Sequence, residues 1–258
     1  QALVRSQGGE FSFKHQDIPG APLRWQWEEK DRQSEFEPNF GGRYHLELPK
    51  GEFNTLVLID SVPRGGPEQM AETVEYLGRF VEFARQYQPE VRVYFAEAWH
   101  DLHSGTERAG EHDTVSPTRR LRWRERLDAD AAMWEEVVRL VNERHPGAHP
   151  VRLIPCGRVL GALHDALGAG EVPGWTKVED LFSDDIHLNL YGKYALALAY
   201  YAVLTGRSPV GLPSEIKNVW GGAYWGVRFW DGSEYPPMGG DTVRALQEVV
   251  ARSLGMPR

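Results

Sequence analysis

The sequence predicts an α/β fold, a three-layer sandwich with a mainly parallel sheet and helices on both faces. Three observations carry that expectation. Residues 53–59 form a continuous apolar run around Leu56, Val57, Leu58 and Ile59, the pattern of a parallel strand buried on both faces. Residues 68–86 then place Met70, Val74, Leu77, Val81 and Ala84 at helical spacing, and a second apolar run at 91–96 completes a strand–helix–strand unit. A long amphipathic stretch at 119–144, with Trp123, Leu127, Ala131, Trp134, Val138 and Val141 on one face, leads to a further short strand at 151–154.

The remaining segments fit around that frame. Residues 2–9 read as the last turn of a helix stopped by Gly8 and Gly9, and residues 11–15 alternate like a strand. A loop with Pro19-Gly20 follows. Residues 24–38, continued by 40–43, form a polar excursion carrying Trp25 and Trp27. After the strand at 151–154 comes a short helix with Val159, Leu163 and Leu167. Residues 194–204 are apolar nearly all round, as in a helix buried on most sides, and Gly206 stops it. The whole is read as one domain, residues 1–258, with a Trp/Gly-rich extension over about 212–240 and a final helix at 242–254.

Composition excludes several classes. A length of 258 residues suffices for a core without covalent staples. A net charge of -8 argues against a nucleic-acid partner, because a phosphate backbone demands an excess of Lys and Arg. Cys156 is the single cysteine, so no internal disulfide forms; a buried structural thiol is its expected role. No apolar run approaches the roughly 18 residues of a membrane span. The first residue is Gln rather than Met, so a processed or trimmed chain is expected.

The chemistry concentrates at residues 181–194. Asp184 precedes His187 by three positions in a polar turn that opens the apolar helix. A carboxylate and an imidazole so placed can meet on one turn, the acid fixing the ring tautomer and stabilising its protonated form. That is the base half of a nucleophilic hydrolase. Asp185 is the competing carboxylate, and the three-residue spacing favours Asp184.

The block Asp184-Asp185-Ile186-His187, followed by Leu188-Asn189 and Gly192, resembles the Asp-x-x-His block near the end of SGNH (GDSL-type) hydrolases. That resemblance implies a flavodoxin-like three-layer domain and a Ser–His–Asp triad. It also implies an oxyanion hole made of the nucleophile's N–H, a Gly and an Asn. His187 is then the general base and Asp184 its orienting acid. Gly20, in a loop after the second strand, matches the family's oxyanion glycine; an ordinary Pro-Gly turn is the competing account. Where the family has Gly-x-Asn-Asp, this chain has Asp60-Ser61, so the Asn donor is missing. The nucleophile block, a Gly-Asp-Ser-Leu-like turn, occurs nowhere in the chain and is expected upstream of Gln1. Ser61, which follows an apolar strand, is the alternative nucleophile within the chain.

Trp99 and His100 follow the strand at 91–96, where α/β sheets carry their sites, and are candidates for lining a substrate pocket. His100, His103 and His112 form the densest group of metal-ligand types, but their spacing matches no metal motif. No metal is assigned and no cofactor is expected. The leading expectation is thus a serine ester hydrolase acting on small acyl esters, with carbohydrate O-acetyl groups as the suggested substrate. The rival is a non-catalytic binding or assembly protein with a protein partner. A metal-dependent hydrolase is third. An exported or periplasmic location follows only from family habit and the trimmed start.

Overall fold

A computed structural model of the chain describes residues 1–32, 41–109, 113, 116–218 and 220–257. The fold is mixed α/β with a wholly parallel sheet, as the strand–helix alternation predicts. Among the described residues the sheet has three strands, β1 (Thr55–Ile59), β2 (Arg92–Ala96) and β3 (Arg152–Ile154), in the order β1-β2-β3. Register runs from Thr55 opposite Arg92 to Ile59 opposite Ala96, then from Tyr94 opposite Arg152 to Ala96 opposite Ile154. The helices are α1 (Ala2–Ser6), α2 (Leu23–Glu28), α3 (Tyr44–Glu47), α4 (Pro67–Tyr87), α5 (Trp123–Arg144), α6 (Cys156–Gly168), α7 (Leu190–Thr205) and α8 (Gly240–Ser253). No helix among the described residues is long and apolar enough to cross a membrane.

The chain divides into two compact units. One comprises residues 13–100 and 104–154 and holds the sheet, α4 and α5. Its core joins Leu58 of β1 and Val93 and Phe95 of β2 to Val74, Leu77, Phe80 and Val81 of α4 and to Trp134, Val137 and Val141 of α5. Phe95 and Trp134 meet edge to face at 5.6 Å, the quadrupole-favoured geometry for a buried aromatic pair.

The second unit comprises residues 1–12, 101–103 and 155–258. There α6, α7 and α8 pack together, and α7 buries Tyr194, Ala195, Leu198, Ala199 and Ala202. A helix apolar nearly all round is stable in water only when neighbours cover it on several sides. Gly206 closes α7 in the left-handed region at φ 69°, where a side chain would be strained.

Three local expectations need correction. Residues 53–59 do not make a strand buried on both faces: Leu58 is buried, but Val57 and Ile59 are exposed. The reason is position, since β1 ends the row of strands whereas β2, at its centre, buries Val93, Tyr94, Phe95 and Ala96. Among the described residues, 11–15 pair through one bridge, His15 with Gly41, because alternation without a neighbouring ladder does not make a strand. The excursion after Arg24 is not all loop, for α2 begins it; residues 33–38 and Phe40 lie outside the described residues.

Candidate functional site

The turn before α7 is built by local hydrogen bonding. The Ser183 N–H and hydroxyl both donate to the His187 carbonyl, at 2.8 and 2.9 Å, and Phe182 bridges Leu188, which closes a tight loop around residues 184–186. Asn189, buried at the N-cap of α7, fixes the base of this loop. Its Oδ1 accepts from the N–H of Tyr191 (2.9 Å) and Gly192 (3.1 Å), satisfying two orphan donors of the helix's first turn. Its Nδ2 donates to the carbonyls of Asp180 (2.9 Å) and Phe182 (3.2 Å), in the segment that enters the loop. Gly192 lets the two strands of chain approach, because a Cβ there would lie 2.3 Å from the Leu181 carbonyl oxygen.

On this base stands the carboxylate–imidazole pair. Asp184 Oδ1 accepts from the backbone N–H of Ile186 (2.8 Å) and His187 (2.6 Å), and Oδ2 lies 2.8 Å from His187 Nδ1. Partial burial pushes the Asp184 carboxyl up, but the two backbone N–H groups and the His187 ring outweigh it, leaving the carboxyl below its ordinary value. An ionised Asp184 selects the tautomer with hydrogen on Nδ1, which leaves Nε2 as the basic nitrogen. The His187 side chain is 68 % exposed, so that nitrogen is open to a reactant.

Asp185 has a different partner. Its Oδ1 lies 3.0 Å from His103 Nε2, and its carbonyl accepts from the Leu102 N–H at 2.8 Å. The two adjacent carboxylates therefore serve two histidines, and residues 101–103 are tied onto the turn. Sequence gave no signal for the His103 contact, which joins residues 82 positions apart. Asn189 carried one: an Asn directly before an apolar helix is an N-cap pattern.

The aromatic extension packs onto the start of α7. Tyr191 donates to the Pro236 carbonyl (3.0 Å) and meets Trp225 and Tyr235 at 5.5 and 5.3 Å, while the Tyr224 hydroxyl donates to the Leu190 carbonyl (3.2 Å). Trp230, at the tip of this extension, sets its ring 6.0 Å from the His187 ring at 85°.

The remaining predicted residues belong to the sheet-bearing unit. Gly20 sits at a turn with φ 69° and open space around its α-carbon. Ser61 is half-buried after β1, its N–H donating to Asp60 Oδ1 at 2.8 Å. Asp60 is buried and also accepts from Leu23 N–H (3.0 Å) and the Thr73 hydroxyl (2.5 Å), with Arg64 3.4 Å away. His100 is buried too. Its Nδ1 lies 2.8 Å from Asp130 Oδ2, an ion-pair distance without hydrogen-bond alignment, and its Nε2 accepts from the Arg64 N–H at 3.4 Å. Trp99 is half-buried beside it in sequence. Cys156, in the other unit, is buried at the start of α6. His112 lies outside the described residues, and among those described no three His, Cys, Asp or Glu side chains come together as a metal site.

No protein-family model matches the chain, and no curated protein matches it. Among solved structures it is similar to the crystal structure of a DUF4886 family protein from Bacteroides uniformis. The two are 14 % identical with a TM-score of 0.65, over 98 % of this chain and 86 % of that one. At that identity the likeness shows the fold alone: an α/β protein that carries, in this chain, an exposed carboxylate–histidine pair before a buried helix.

Proposed function

We propose that this protein is a serine ester hydrolase of the SGNH type acting on small acyl esters, such as O-acetyl groups on carbohydrate. The observation that carries this is the Asp184–His187 pair, whose carboxylate is pinned by two backbone amides while the ring stays open to solvent. In the proposed cycle His187 Nε2 takes the proton of a serine hydroxyl as that oxygen attacks the acyl carbon. It then returns the proton to the departing alcohol, and a water molecule hydrolyses the acyl-enzyme by the same exchange. Asp184 stabilises the imidazolium that forms in between. Gly20 N–H is the proposed oxyanion donor, a role worth about 3 kcal/mol where such donors have been removed.

The nucleophile in this reading is the serine of a Gly-Asp-Ser-Leu-like block, which the family's block order puts ahead of Gly20; Ser61 is the alternative. Trp99 keeps the proposed role of lining the acyl pocket, while the burial of His100 against Asp130 leaves it a structural one. Hydrolysis of p-nitrophenyl acetate by the full-length protein tests the reading. Loss of most activity in His187→Ala supports it, and equal slow rates in wild type and variant overturn it. Ser61→Ala decides between the two serines, since only one of them can be the residue whose loss abolishes turnover.

A further inference from the structure

The extension at residues 212–240 divides its aromatic side chains into two sets. Trp225 and Tyr235 are buried anchors: the Trp225 indole N–H donates to the Ser214 carbonyl at 2.6 Å, and the Tyr235 hydroxyl donates to Asp231 Oδ2 at 2.6 Å. Trp230 is the opposite case, 62 % exposed although its ring lies 6.0 Å from that of His187.

Trp230 is nonetheless held in place by its own hairpin. Arg228 bridges Glu234, the Phe229 N–H donates to the Ser233 carbonyl (2.8 Å), and the Gly232 N–H donates to the Phe229 carbonyl (3.0 Å). Asp231 Oδ1 accepts from the Ser233 N–H at 2.8 Å, and Gly232 takes φ 84°, which a side chain would resist. Lys193 of α7 sits 4.6 Å over the Phe229 ring, fixing the residue beside Trp230. A large exposed aromatic on a braced support, beside a reactive histidine, is pre-organised to meet a ligand.

We infer that Trp230 is a stacking platform for the sugar ring of an acylated, uncharged carbohydrate whose ester faces His187. This rests on the ester-hydrolase reading above. The chemistry around the platform selects the class. On the same hairpin Arg228, Ser233 and Glu234 are exposed and Asp231 is half-buried, a polar setting that suits a pyranose presenting C–H groups to the ring and hydroxyls to the rim. An acyl chain of many carbons would need apolar neighbours instead. A nucleotide would also stack, but a net charge of -8 disfavours its phosphates.

The test compares wild type, Trp230→Ala, Trp230→Phe and Trp220→Ala on two esters, methyl 6-O-acetyl-glucoside and ethyl acetate. The expected result is a rise of about tenfold in KM for the glucoside with Trp230→Ala, the size of one lost aromatic contact. Ethyl acetate, which has no ring to stack, loses less than about twofold in rate with Trp230→Ala, Trp230→Phe keeps most of the affinity for the glucoside, and Trp220→Ala behaves as wild type. Equal losses on both esters would overturn the platform, because they would show an effect on His187 rather than on sugar. Acetylcholine serves as a third ester, and a preference of wild type for it over the glucoside would overturn the carbohydrate class in favour of a cation. If wild type hydrolyses neither ester, the hydrolase reading fails, and glucoside binding by saturation-transfer NMR judges the platform separately. Binding that disappears with Trp230→Ala supports it; binding that is absent or unchanged overturns it.

Discussion

Asn189 is the residue on which the geometry of the candidate site rests, and replacing it gives a prediction whose size follows from four hydrogen bonds. In Asn189→Ala the first turn of α7 loses its cap, which costs about 1 kcal/mol. The carbonyls of Asp180 and Phe182 lose their Nδ2 donor in a buried setting, at about 1 kcal/mol each. The sum is about 3 kcal/mol, or a fall in Tm of about 9 °C at roughly 3 °C per kcal/mol. Asn189→Ser restores a cap oxygen but not the two donors, so it recovers about 1 kcal/mol of the loss. Thermal unfolding followed by circular dichroism ranks the three proteins, and amide hydrogen exchange at Ile186 and His187 reports whether the loop above has loosened. A Tm for Asn189→Ala within about 2 °C of wild type would refute the claim that this side chain holds the turn to the helix.

The Gly192→Ala variant places its new carbon 2.3 Å from a backbone oxygen that cannot move aside, so a loss of about 2 kcal/mol or more is expected despite alanine's helical preference. Gly168→Ala, at the exposed end of α6 with open space around it, gains a few tenths of a kcal/mol to about 1 kcal/mol, and urea midpoints measure both. Asp184 has a carboxyl lowered on folding, so its contribution is fully present above the unfolded value of about 3.9 and is lost as pH falls through the lower folded value. Asp184→Asn should accordingly be less stable than wild type at pH 7, with the difference shrinking at about pH 3; a gap that widens on acidification would contradict this sign. Asp60→Ala takes the acceptor from the Leu23 and Ser61 N–H groups and one of two partners from the Thr73 hydroxyl and the Arg64 guanidinium, which keep the Gln69 carbonyl and Glu72, for a loss of about 2–4 kcal/mol that thermal unfolding would reveal.

The sequence made the α/β class legible because strand runs and helical spacing are local signals, and each long helix began and ended within a few residues of its expected limits. The exposure of Val57 and Ile59 was not legible, since a strand at the edge of a sheet and one at its centre share the same apolar pattern. The fate of Phe11 to His15 shows the same limit: whether an alternating stretch becomes a strand depends on a neighbour that its own residues do not specify. At the site, the Asp184–His187 contact was readable because a three-residue spacing confines both groups to one turn. Contacts of His103 with Asp185, and of Trp230 with His187, join parts of the chain brought together only by folding.

Among the described residues two histidine–carboxylate pairs share a 2.8 Å separation, and burial separates their roles. His100 and Asp130 are each 4 % exposed, with Arg126 3.4 Å from the same Asp130 oxygen and the Thr118 hydroxyl on the other at 2.8 Å. A group so enclosed is worth most as a structural tie, and removing its ring leaves a carboxylate and the Arg64 N–H short of a partner. His187, at 68 % exposure, is worth little to folding, because solvent screens an exposed pair and rehydrates what a substitution uncovers. Hence His100→Ala should lower stability by about 2–4 kcal/mol, while His187→Ala changes it by less than about 1 kcal/mol. Urea titration of both variants measures the contrast. Equal losses would mean that His187 is held for structure, and the turn before α7 would then have no residue free to act as a base.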